Sequence, residues 1–254
     1  MKRRPIVNHP DSVLIFGATS AIATEGARCF AAGGTTLFLV GRSPEKLAAL
    51  RDDLLVRGAS KVETQTADLS DIASHQALIE AARQSLGTLD QVLVAYGVLG
   101  DQQASEDSVE TTLREWQTNA TSTIALLTLL ASELERQHYG TLAVISSVAG
   151  DRGRKSNYVY GAAKAAVSTF LSGLRGRLSK SGVRVVTIKP GMVDTPMTAH
   201  LKKGPLFASS ERVGHDIYQA MLRGRDVVYT PWYWRYVMLI IGIIPEGIFK
   251  RLPL

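Results

Sequence analysis

A doubly wound α/β domain, with a parallel sheet of about seven strands covered by helices on both faces, is predicted by three features of the sequence. Apolar runs of strand length recur along the chain, most are continuous rather than alternating, and helix-compatible stretches lie between them. Continuous apolar strands are expected where both faces of a sheet are covered, and a strand–helix–strand order requires parallel pairing.

The strand runs lie at 13–16, 37–40, 62–66, 92–95, 142–145, 183–188 and 226–229. Helix-compatible stretches fall at 21–32, 44–57, 72–86, 119–137 and 158–179. No repeat, Gly/Ser linker or low-complexity run interrupts this alternation, so residues 1–230 are expected to form one catalytic domain, with 231–254 an apolar, amphipathic extension of it. Ligands of such sheets bind beyond the carboxyl ends of the strands, where the winding reverses.

Composition excludes several classes. With 45% hydrophobic and 20% charged residues there is material for a core and no disorder signature. The single cysteine, Cys29, rules out an internal disulfide, suits a reducing cytosol, and is expected to be a small buried residue. The start Met1-Lys2-Arg3-Arg4-Pro5 is basic like a signal-peptide n-region, but no apolar stretch follows, so no export by that route is expected. Net charge is +6, and residues 201–254 carry eight Lys/Arg against four Asp/Glu. Such an excess suits an anionic partner, but no helix carries the dense basic stripe of a nucleic-acid binder, so none is expected. No metal site is expected either.

The first strand runs into Gly17-Ala18-Thr19-Ser20-Ala21-Ile22-Ala23 and then a helix, where a tight turn can bring backbone N–H groups to a pyrophosphate. Only the first glycine of a G-x-x-x-G-x-G pattern is present, and an ordinary strand-to-helix turn accounts for the segment equally well. After the second strand stands Arg42, where an acidic reader of the ribose 2′-OH is absent. An arginine there can pair with a 2′-phosphate, which favours NADPH over NADH; a solvated loop charge is the alternative.

Tyr160 and Lys164 are four residues apart at the start of a predicted helix, so they project from one face. A phenol is a poor base near neutrality, and a neighbouring ammonium lowers its pKa. Tyr158 has only Ala162 four residues on. Ser147, thirteen residues before Tyr160, can hydrogen-bond a substrate carbonyl, and Asn119 can position a water linking Lys164 to solvent. Each alone is more often structural; together, at strand ends, they point to catalysis.

Through Gly17–Ala23, Asp68-Leu69, Asn119, Ser146-Ser147, Tyr160-Gly161-Ala162-Ala163-Lys164 and Lys189-Pro190-Gly191-Met192-Val193-Asp194-Thr195, the chain resembles the short-chain dehydrogenase/reductase family, of Rossmann-type fold. The resemblance implies Asn119, Ser147, Tyr160 and Lys164 as catalytic residues. It also implies NADP(H) or NAD(H) contacts from Gly17, Thr19, Ser20, Ile22, Arg42, Asp68, Ala95, Gly97, Tyr160, Lys164, Pro190, Gly191, Val193 and Thr195. Asp68 would meet the adenine; the Val193 backbone and Thr195 side chain would meet the nicotinamide carboxamide. Two departures are the missing glycines and Val94-Ala95-Tyr96-Gly97, where the family has Asn-Asn-Ala-Gly. The implied reaction interconverts a ketone and a secondary alcohol by hydride transfer, and homo-oligomers are common among such enzymes.

Three cations in four positions, Arg152, Arg154 and Lys155, border the expected substrate pocket. With His200, Lys202 and Lys203 they are expected to recognise a phosphate, a solvated loop being the alternative. The tail 231–244 is the most apolar part of the chain, too short to span a bilayer, with Arg235, Lys250 and Arg251 around it. It suits either peripheral contact with an anionic membrane or burial against the body or a subunit partner. Within the family, segments 16–20, 94–97, 151–157 and 235–254 are similar to reductases of decaprenyl-phosphoryl pentoses. This implies a 2-keto pentose on a polyprenyl phosphate reduced to the arabinose form at the cytoplasmic face of the membrane, and a partner oxidase supplying the ketone. Those reductases use NADH, against the reading of Arg42, and both dinucleotides stay open. A soluble keto sugar, an acyl-thioester ketone and a non-catalytic dinucleotide sensor are the alternatives.

Overall fold

The computed structural model describes residues 10–252; the basic stretch 1–5 lies outside them. In chain order the elements are β1 (Ser12–Phe16), α1 (Ala21–Ala31), β2 (Thr36–Gly41), α2 (Pro44–Val56), β3 (Lys61–Thr66), α3 (His75–Leu86), β4 (Gln91–Val94), α4 (Gln102–Asp107), α5 (Val109–Trp116), α6 (Ser122–Gln137), β5 (Gly140–Ile145), α7 (Tyr158–Leu178), β6 (Val183–Pro190), β7 (Val193–Asp194), β8 (Ala208–Ser209), α8 (Ser210–Arg223), β9 (Val227–Thr230), α9 (Trp234–Ile243) and α10 (Glu246–Phe249). Seven strands form one parallel sheet in the order β3-β2-β1-β4-β5-β6-β9, as the apolar runs predict. Winding reverses between β1 and β4, which pair Val13 with Gln91 and Phe16 with Val94, so the ligand crevice opens beyond Phe16 and Val94.

Alternation within each strand feeds two cores. Val13 and Ile15 join α1, α2 and α8 on one face, while Leu14 and Phe16 join α3, α6 and α7 on the other. Both faces are dry, which is why the strands read as continuous apolar runs. Local chemistry sets several helix ends. The Ser43 hydroxyl caps α2 by accepting the Lys46 N–H, with Pro44 fixing the first turn, and Gly224 closes α8 in the left-handed conformation.

The predicted helix 119–137 is corrected at its start. Residues Gln117–Thr121 form a π-helical turn, and α6 begins only at Ser122. The cause is Asn119, whose side chain turns inward to bind the Val98 backbone through both N–H and C=O. Helices α4 and α5 and the short β7–β8 pair are not in the sequence reading. They rest on capping by Asp101 and Ser108 and on one parallel pairing rather than on apolar periodicity. Cys29 is half-buried rather than buried, and desolvation with nearby Glu25 pushes its thiol pKa up, away from the reactive thiolate.

The tail is packed against the body on one side and exposed on the other. Trp234 and Met238, one turn apart on α9, pack against Val148 of the body. Tyr236, Leu239, Ile240 and Ile243 face outward and are exposed, as is Ile248 of α10. Among the described residues no helix is long and apolar enough to cross a membrane.

Helices α1 and α8 meet at a pair of glycines that lets the site-bearing α1 sit low on the sheet. A Cβ at Gly214 would lie 2.4 Å from Glu25 Cβ and 2.8 Å from the Gly26 backbone N. Alanine there gains about 1 kcal/mol of helix propensity, but overpacking against backbone costs about 1–3 kcal/mol and wins. Gly214→Ala is therefore expected to lower the urea midpoint without changing its slope; an unchanged or higher midpoint would show that the crossing is loosely packed.

Candidate active site

The dinucleotide crevice begins at Gly17, which has φ +80° and whose Cβ position is filled by Tyr96 backbone and Cβ atoms at 2.7–2.9 Å. Only glycine fits there. Ala21 and Ala23, where glycines were missing, lie inside the first turns of α1, and among the described residues the only non-glycine residue with positive φ is His138. Alanine is therefore no obstacle. Ser20 precedes α1 without a side-chain cap, and the first turn holds no acidic residue. The N–H groups of Ala21, Ile22 and Ala23 are thus left for an anion, with the helix dipole in favour. These features fit a dinucleotide pyrophosphate.

Farther along, Arg42 is exposed just after β2. Asp68 lies nearby, its carboxyl held below the usual range first by the Ser70 N–H, then by the Ser70 hydroxyl, and also by the charge of Arg42. On the other side of the switch point, Ala95 and Gly97 line a cavity of about 860 Å³ with Ser20, Ile22, Ser147, Tyr160, Lys164, Pro190, Gly191, Val193 and Thr195. Thr195 caps the 3-10 turn Pro196–Thr198, and the β7–β8 pairing holds Val193 in place.

Three of the four candidate catalytic residues, Ser147, Tyr160 and Lys164, line that cavity, and the fourth, Asn119, is fully buried. Tyr160 and Lys164 open α7, with the ammonium 5.6 Å from the phenol ring centre and bonded to the Ile145 carbonyl at 3.2 Å. Lys164 is 4% exposed, and burial pushes its pKa down to about 8. Burial likewise pushes Tyr160 up to about 12, opposed by a hydrogen bond with Ser147. The lowering of the Tyr160 pKa expected from Lys164 is not found; burial dominates and keeps the phenol protonated at neutral pH. Asn119 is fully buried, and a Cβ at Gly97 would touch both its Oδ1, at 2.7 Å, and Lys164 Nζ, at 3.3 Å. Gly97 is therefore the gap through which amide and ammonium share one space. Ser146 is occupied elsewhere, bonding the Lys164 carbonyl and Ser168, which leaves Ser147 as the serine beside Tyr160. Tyr158 is 45% exposed.

The cationic set divides. Arg154 and His200 line the cavity. Arg152 is corrected to a structural clamp: its guanidinium donates to the Ile241 and Ile244 carbonyls at the end of α9, pairs with Glu246 at 2.9 Å and lies 3.6 Å over the Phe249 ring. The free carbonyls of a helix C-terminus explain this diversion. Lys203 is also diverted, by Asp194 at 2.7 Å, while Lys155 and Lys202 are exposed and outside the lining. Sequence reasoning missed Trp234 and Glu115. Trp234 forms a wall of the cavity from the tail, and buried Glu115 ties down the first turn of α4 by accepting from the Asp101 N–H and the Ser105 hydroxyl. An aromatic residue four before Met238 in an amphipathic tail was the signal for the first; nothing local marks the second.

Residues 11–205 match the family described as short chain dehydrogenase. An uncharacterised oxidoreductase of Mycobacterium tuberculosis is 36% identical over 241 residues, covering 95% of this chain and 96% of its own. Another from Streptomyces coelicolor is 35% identical over 244 residues, 96% of each. Among solved structures, levodione reductase superposes with a TM-score of 0.80 at 24% identity, over 87% of this chain and 96% of its own. An NADPH-bound variant of actinorhodin polyketide ketoreductase gives 0.78 at 21%, over 88% and 96%.

The depressed Lys164 pKa has a consequence for stability. Between its native value near 8 and the ordinary value of about 10.4 the unfolded chain binds a proton that the native chain has released, so this residue's contribution to stability rises with pH. Relative to Lys164→Met, the parent should gain about 2 kcal/mol between pH 7.5 and 9.5. Urea unfolding of both proteins at each pH measures it, and a flat difference would mean that the ammonium is solvated.

Proposed function

Because the chain belongs to the short-chain dehydrogenase family, and is accordingly an NAD(P)(H)-dependent oxidoreductase acting on CH–OH groups, we propose that it reduces the 2-keto pentose of a polyprenyl-phosphoryl sugar to the arabinose form. The observation that carries this reading is the single cavity shared by Ser147, Tyr160 and Lys164, by an arginine, and by a helix whose outer face is apolar. It agrees with the resemblance to the reductase component of decaprenyl-phosphoryl-ribose 2′-epimerase.

In this reading the α1 N-terminus and Gly17 hold the pyrophosphate, Asp68 the adenine, and the 190–195 loop the nicotinamide ring. The bound dihydronicotinamide supplies a hydride to the carbonyl carbon. Ser147 donates a hydrogen bond to the carbonyl oxygen as negative charge develops there. Tyr160 gives that oxygen its proton, and the phenolate left behind is stabilised by the Lys164 ammonium. Asn119 holds the water through which the proton is replaced. Arg42 gives NADPH the preference through the 2′-phosphate. The partners are a homo-oligomeric mate and an oxidase that makes the ketone. The tail rests on an anionic membrane at the cytoplasmic face, with Leu239, Ile240 and Ile243 in the interface and Arg235, Lys250 and Arg251 near the headgroups.

Stopped-flow oxidation of NADPH and NADH with a short-chain polyprenyl-phosphoryl 2-keto pentose, against unphosphorylated ketones and acyl-thioester ketones, tests the substrate. Turnover faster with any of the latter would replace it. Tyr160→Phe is expected to lower kcat by about 10²–10⁴-fold while dinucleotide binding persists. An unchanged rate would instead favour a dinucleotide sensor. For the tail, a Leu239→Asp/Ile243→Asp double variant should stop co-sedimenting with phosphatidylglycerol vesicles while keeping its activity on a soluble ketone; retained sedimentation would remove the membrane contact.

A further inference from the structure

One cavity-lining cation, Arg154, has neither a carboxylate nor a carbonyl partner among the described residues. Arg154 stands in the loop between β5 and α7 and lines the same space as Ser147 and Tyr160. Among the described residues it forms no ion pair, and its guanidinium makes one contact, Nη2 to the Met238 sulfur at 3.1 Å. Thioether sulfur is a weak acceptor. Its Nε is closed to solvent and has no acceptor at all. The nearest acid, Asp151, is already engaged by Lys189 and by the Tyr229 hydroxyl. Arg152, two residues earlier, shows the contrast, because carbonyls, a carboxylate and a ring use its whole fork.

Two more polar atoms of cavity-lining residues lack partners: Asn157 Oδ1 and Trp234 Nε1. Trp234 is only 3% exposed, so its idle N–H is a buried donor. A Cβ at Gly191 would lie 1.9 Å from that nitrogen, so the glycine of the 190–195 loop is what admits the indole. The unpaired groups therefore lie beside the segment assigned to the nicotinamide, at the substrate end of the cavity. A partly buried guanidinium without an anion is costly, as burial lowering the Arg154 pKa also indicates, and orphaned donors and acceptors around it add to the cost. Such clusters are retained where a ligand completes them.

We propose that Arg154, with the indole N–H of Trp234, forms a subsite for an anionic oxygen of the substrate, a phosphate ester rather than a carboxylate, while Asn157 accepts from a neighbouring substrate hydroxyl. A phosphate ester offers several oxygens to a fork of N–H donors. The subsite rests on the oxidoreductase reading only for where the reacting carbonyl lies; anion binding itself does not depend on turnover. It narrows the six basic residues that the sequence offers in this region to one.

The test uses the full chain with Trp116→Phe and Trp232→Phe, so that Trp234 is the only indole, saturated with NADP⁺ to fill the dinucleotide site. Dimethylallyl phosphate, inorganic phosphate, acetate and dimethylallyl alcohol are titrated while indole fluorescence is followed. A saturable change with dimethylallyl phosphate, at least tenfold weaker in Arg154→Gln, intermediate in Arg154→Lys and unaltered in Lys155→Gln, is the expected result. Equal affinity in Arg154→Gln, or an equal response to the alcohol, overturns the subsite; acetate binding as tightly as dimethylallyl phosphate overturns its assignment to a phosphate ester. NADP⁺ affinity, measured by calorimetry in each variant, reports folding. A parent chain that binds dimethylallyl phosphate but neither NADP⁺ nor NAD⁺ would refute the oxidoreductase reading and leave the subsite standing.

Discussion

An ammonium buried where it can barely be solvated governs this structure. Lys164 gives up most of its hydration to stand between the Ile145 carbonyl, the Asn119 amide and the Tyr160 ring. That placement imposes demands on two other segments. Gly97 must lack a side chain, Asn119 must turn inward, and the chain around Asn119 must widen into a π-helical turn to let it do so. Ser146 fixes the start of α7 through the Lys164 carbonyl, so the helix cannot rotate the lysine out of register.

The C-terminal segment is the second organising element, and its two faces do different work. Arg152 gathers the free carbonyls at the end of α9 and binds α10 through Glu246 and Phe249, which holds the tail against the loop after β5. So fixed, α9 turns Trp234 and Met238 inward, with Trp234 as a wall of the cavity, and leaves Leu239, Ile240 and Ile243 outward. One short helix therefore connects the substrate end of the site to an exposed apolar surface. The cation next to it, Arg154, is held back from any carboxylate, and the difference between the two arginines is a matter of which helix end each can reach.

Much of this was legible in the chain itself. Strand positions followed from continuous apolar runs, because a sheet covered on both sides has no polar face to interrupt them. The Tyr160–Lys164 pair was legible because a four-residue spacing places two side chains on one helical face whatever the surroundings. The glycine-poor turn was harder. Its meaning depends on φ at Ala21 and Ala23, and both prove to lie within α1, where alanine is at ease. The start of α6 was misread because the apolar pattern is blind to an asparagine that binds backbone across the sheet end.

The sequence by itself determined the parallel sheet, the shared helix face of Tyr160 and Lys164 and the strand-to-helix turn at Gly17, since each follows from periodicity or local backbone rules acting over a few residues. Only the tertiary structure decided which of Arg152, Arg154, Lys155, His200, Lys202 and Lys203 reach the cavity, and that Trp234 closes it. It also decided that burial, not the neighbouring charge, sets the phenol's acidity. The physical reason is common to all three: a cation's role depends on which acceptor lies within reach, and an acid's strength on how much water remains, and both are properties of segments far apart in the chain.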